Sequence, residues 1–117
     1  MRWCEVVLED GKVLYSFRVF QRVVERVLQG IPGVSSLEKN PEESIRIEVR
    51  KGFVSLNLFL IFTLERRVPE TAWEVQKRVK EKIEKEMFLK AEHINVYVQA
   101  FETGGVANLA LQGVPER

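Results

Sequence analysis

Residues 53–65, "FVSLNLFLIFTLE", constrain the fold more than any other stretch. Val54, Leu56, Leu58, Leu60, Phe62 and Leu64 alternate, as the inward row of a β-strand does. The other row should then be polar. It reads Phe53, Ser55, Asn57, Phe59, Ile61 and Thr63, so three large apolar side chains stand on the second face. A chain with this strand must build a sheet that buries one face fully and has use for cover on the other. At roughly 25 cal/mol per Å², leaving such groups in water forgoes several kcal/mol of burial.

The neighbouring segments supply the cover for the first face. Phe17, Phe20, Val24, Val27, Leu28 and Ile31 recur at helical spacing behind Ser16, an N-cap residue type. This predicts a helix over 17–29 with Gly30 as its C′ residue. A second helix is expected over 69–87, with Pro69 and Glu70 in the first turn. Its stripe is Ala72, Val75, Val79, Ile83 and Met87. Glu74 with Arg78, and Glu81 with Lys85, are spaced for i,i+4 ion pairs.

Asp10-Gly11, between two β-rich runs, signals a hairpin over 5–15. Ile45, Ile47 and Val49 alternate with Arg46, Glu48 and Arg50, giving a half-buried strand that turns at Lys51-Gly52 into the long one. Residues 35–43 read as a polar loop. Ile94, Val96, Val98 and Ala100 mark a last strand, whose outward row adds Tyr97 and Phe101. The expectation is an α+β fold in β-α-β-β-α-β order. It would have a mixed or antiparallel sheet of four to five strands and two helices on one face. We expect one domain over 1–102 and a tail over 103–117, where Val106, Leu109 and Ala110 could form one amphipathic turn.

Chemistry is sparse. The chain has 117 residues, 18 basic and 17 acidic, and a net charge of +1. A dedicated nucleic-acid binder would ordinarily be more basic. One histidine, His93, and one cysteine, Cys4, lie far apart in sequence and make no metal-ligand spacing. Nucleophile-elbow, P-loop and dinucleotide glycine patterns are missing. No catalytic residue, cofactor site or metal site is expected. A single cysteine and the lack of an apolar leader-like run in Met1-Arg2-Trp3-Cys4-Glu5 point to the cytoplasm. The most apolar run, residues 56–64, is too short for a bilayer span of about 20 residues.

Two features suit binding. Gly30-Ile31-Pro32-Gly33 has the G-x-x-G form of the loop with which KH domains clamp RNA. Yet Pro32 offers no N–H and Ile31 belongs to the core stripe, so a helix stop accounts for each residue. Arg18, Arg22 and Arg26 form a basic row on the first helix, suited to an anionic membrane surface or nucleic acid, but without aromatics to stack bases. The surplus apolar face, with Phe53, Phe59, Ile61, Tyr97 and Phe101, is the stronger candidate: an interface with a second copy or a partner. The N-terminal hairpin or the tail is the alternative cover.

Between Gly11 and Glu102 the chain resembles the alkaline shock protein family, the envelope stress response proteins common in Gram-positive bacteria. The residues that carry the resemblance are "GKVLYS" before the first helix and "IPGV" after it. "AWEVQKRVKEKIE", with Val75-Gln76 and Val79-Lys80, and "INVYVQAF" complete it. Where members often carry a glycine before the second helix, this chain has "LERRVPE". The resemblance implies a non-enzymatic cytoplasmic protein working by protein–protein contact near the envelope. It would self-associate as a homo-oligomer or bind a membrane-associated anchor. A KH-like RNA-binding domain is the alternative.

Overall fold

The computed structural model describes residues 3–50 and 52–102. The hairpin pairs β1 (Trp3–Leu8) with β2 (Gly11–Ser16) as a two-stranded sheet of its own. Its loop residues are Glu9 and Asp10, one place earlier than expected, because Leu8 pairs with Gly11 and Gly11 takes the positive φ of 149°. Helix α1 (Phe17–Gln29) buries Phe20, Val24 and Leu28, as its stripe predicts. Gly30 closes it with φ −94°, not in the left-handed form expected of a C′ glycine; the positive φ falls at Gly33.

Residues 35–43 are not simply a loop. They hold most of β3 (Val34–Leu37), and α2 (Pro41–Ser44) follows. The one-turn helix α2 is set by Asn40, whose side chain accepts from the Glu43 N–H at 2.9 Å, by Pro41 at its start, and by two acids in its first turn. Then come β4 (Ile45–Arg50), β5 (Phe53–Phe62), α3 (Val68–Met87) and β6 (Lys90–Phe101). The order is therefore longer than β-α-β-β-α-β by one strand of the hairpin, one edge strand and one short helix.

Strand β5 organises the four-stranded sheet. Strand β6 runs parallel beside its whole length. On the other edge, β4 lies antiparallel along residues 53–58 and β3 along residues 60–62. The sheet is thus mixed. Val54, Leu56, Leu58, Leu60 and Phe62 are fully buried on the side that α1 and α3 cover. Leu64, expected to continue that row, is exposed, because β5 stops at Phe62 and the next N–H, of Thr63, bonds to the Gly33 carbonyl. Helix α3 buries Val75, Val79, Ile83 and Met87, and also Thr71, whose hydroxyl donates back to the Arg67 carbonyl. Among its ion pairs, Glu74 meets Arg78 as predicted, while Lys82 with Glu86 forms in place of Glu81 with Lys85.

Candidate functional site: the outer face of the sheet

The face of β5 turned away from the helices carries a ladder of flat groups across three strands. Phe59 and Tyr97 are opposite each other in the β5–β6 register, and their rings stack at 4.4 Å with an interplanar angle of 10°. The Arg46 guanidinium of β4 lies 4.9 Å from the Phe59 ring centre on the same face. The aromatic pair and the cation–π contact each add about 1 kcal/mol to simple burial. Beside the ladder, Asn95 donates to Asn57 at 2.9 Å. Phe53 is 42% exposed and Tyr97 45%; Phe59 and Ile61 are half-buried.

Four of the five expected interface residues, Phe53, Phe59, Ile61 and Tyr97, therefore share this face. Phe101 does not. An irregularity in β6 between the residues facing Leu60 and Ile61 inserts Gln99 as an extra residue. The alternation slips by one, so Phe101 pairs with the buried Phe62 and packs on the core. Arg46 and the two asparagines were not singled out in the sequence. Their signal was only their place in the polar row of their strands.

On the outer face Phe53 and Tyr97 stay exposed among the described residues. The hairpin turns its inner row, Cys4, Val6 and Tyr15, onto the helix side, where the Tyr15 hydroxyl donates to the Met87 carbonyl at 3.2 Å. The tail, the other expected cover, lies outside the described residues.

The G-x-x-G segment is occupied by its own structure. The Gly30 and Ile31 N–H groups donate to the Val27 and Leu28 carbonyls, and Ile31 is buried. Arg78 donates to the Gly30 carbonyl at 3.3 Å and Arg66 to the Pro32 carbonyl at 3.1 Å. Both arginines also reach the Glu74 carboxylate at 2.8 Å, latching the segment to α3. A Cβ on Gly33 would lie 2.9 Å from Thr71 Oγ1. A phosphate clamp needs several free amides at the surface; here Pro32 has none, and those of Gly30 and Ile31 are spent on ending the helix. Arg18, Arg22 and Arg26 all lie exposed on α1, and none of them closes an ion pair among the described residues.

His93 is exposed near the start of β6, opposite Ser55 in the β5–β6 register, and Cys4 is buried, which pushes its thiol pKa up. Among the described residues no group of three or more His, Cys, Asp and Glu side chains could hold a metal ion. No helix of the described residues is long and apolar enough to cross a membrane.

The family model of the alkaline shock proteins, described as having cell envelope-related function, matches residues 5–103. No curated protein gives a match. Among solved structures, the chain is similar to the MamM CTD. For the zinc form of one variant the identity is 19%, with 77% of this chain and 91% of that one covered, at a TM-score of 0.50. For a histidine-to-alanine variant it is 17%, with 74% and 100% covered, at 0.51. The copper form of a third variant gives 17%, 74% and 100%, at 0.50. At such identities the likeness is one of fold alone.

Proposed function

The chain belongs to the alkaline shock protein family, and from that premise we propose that it is a non-enzymatic interaction module of the cell envelope that works through its outer sheet face. The protein acts in the cytoplasm and reaches the membrane through a partner. It buries Phe53, Phe59, Ile61 and Tyr97 against a second copy or a membrane-associated protein.

The observation that carries this reading is the aromatic ladder, half-exposed among the described residues. A sheet that only needed to be soluble would keep that row polar, as β4 does with Arg46, Glu48 and Arg50. Stacked rings in a fixed geometry resist repacking and present a preformed surface, which lowers the ordering cost of binding. Aromatic residues and arginine are also the side chains that dominate interface energetics.

The test is Phe59→Glu and Ile61→Glu, each measured by light scattering and far-ultraviolet circular dichroism. Both variants are expected to stay folded and to shift to a smaller assembly, or to lose an envelope partner captured by the parent protein. Unchanged size and unchanged capture in both variants would end the proposal.

A further inference from the structure

We propose that the outer edge of β6 pairs antiparallel with the same edge of a second copy, about a two-fold axis at Tyr97, so that two four-stranded sheets join into one. This rests on the self-association reading and names the partner and the contact.

The first argument is the edge itself. Among the described residues strand β6 is paired only with β5, so one side of its backbone presents N–H and C=O groups that no described strand pairs. Proteins ordinarily blunt such an edge with charges, proline or glycine. Residues 94–101, "INVYVQAF", contain none of these. The opposite edge of the sheet is treated differently: β4 carries Arg46, Glu48 and Arg50. The N-terminal end of β6 is also closed, because the Ala91 N–H donates to the Glu84 carboxylate at 3.1 Å. Protection thus sits at the two ends, in that carboxylate and in the bulge at Gln99, and residues 94–98 between them carry none.

The second argument is the ladder. Arg46, Phe59 and Tyr97 step across β4, β5 and β6 at about the spacing of neighbouring strands. One ring face of Tyr97 is covered by Phe59. With no described strand beyond β6, the other looks out past the edge, and Tyr97 remains 45% exposed. The group that continues the ladder is flat and stands on a strand paired to β6.

A second copy supplies that group from its own Tyr97. In an antiparallel pair about a two-fold axis, residues opposite each other lie on the same face, so Tyr97 meets the same residue of the copy. Val96 then faces Val98 of the copy on the helix side, covering Val98, which is 38% exposed. Within 94–100 no like charges are brought together. A charged or proline-rich partner would gain nothing from this edge.

The experiment begins with the wild-type chain, comparing amide hydrogen exchange in dilute and concentrated samples whose masses are set by light scattering. Edge pairing slows exchange within residues 94–100 by about tenfold or more as the mass doubles. Face-to-face packing of sheets, about 10 Å apart, adds no backbone hydrogen bonds and leaves those amides unchanged. Two variants refine the reading. Tyr97→Cys should form a disulfide between copies under mild oxidation, since its Cα atoms would lie within the 7 Å limit. Val98→Lys should weaken the dimer at least about tenfold while the circular dichroism stays unchanged. A dimer whose 94–100 amides exchange as in the monomer overturns the edge pairing and leaves the outer-face reading standing. A monomer at every concentration overturns the self-association beneath it.

Discussion

Single residues fix the joints of this fold, and their chemistry can be tested one at a time. Gly33 turns the chain from α1 into β3 with φ +97°, and Thr71 of α3 sits where its Cβ would be. Both strain and contact oppose a side chain there. Gly33→Ala is expected to cost about 1–3 kcal/mol and to lower Tm by several degrees, read by thermal or urea unfolding. Cys4 tests the hairpin from the other side. Burial raises its thiol pKa, so the native thiol stays protonated where a free one begins to ionise. Its contribution to stability is complete below the ordinary thiol value and is lost as pH climbs toward the raised folded value. Alkylation at mildly alkaline pH should be slow in the native protein and rapid in denaturant. Equal rates in both would mean that the hairpin does not close over Cys4.

Elements show where local propensity and tertiary context part. Helix α3 ends at Phe88, which takes the left-handed conformation, φ 59° and ψ 33°, with its ring exposed. That position ordinarily goes to glycine, since any Cβ there costs about 1 kcal/mol. Phe88→Gly is expected to stabilise the monomer by about that amount, read as a rise in Tm of a few degrees. A fall would show that the ring contributes packing that outweighs the strain. The periodic elements α1, α3, β4 and β5 were legible because each buries one continuous stripe. Strand β3 was not, because four residues with Val34 and Leu37 at the ends, paired to β5 and packed on the core only there, carry almost no pattern of their own. The signal for α2 was present in Asn40-Pro41-Glu42-Glu43, an N-cap, an N1 proline and first-turn acids. The shift of Phe101 could not be read from alternation, since a bulge is a property of two strands in register.

At the scale of the whole molecule, the division into a helix-covered face and an open face separates the binding hypotheses. A domain with the spent G-x-x-G amides and a net charge of +1 has little to offer a phosphate backbone. Titration with single-stranded RNA at low salt is expected to give no salt-sensitive binding, and replacing Arg18, Arg22 and Arg26 together should change nothing in that titration. Tight binding that the triple variant abolishes would put the basic row of α1 in place of the sheet face as the working surface.

Hydrophobic periodicity is a local property of a segment, so the two amphipathic helices, the doubly apolar central strand and the surplus aromatic surface were legible along the chain. Folding alone made β6 parallel to β5, packed the hairpin on the helix side, and lined up Arg46, Phe59 and Tyr97 while turning Phe101 inward. Those outcomes depend on which strand edges meet and in what register. That choice is settled by burying several distant stripes at once, so no single segment encodes it.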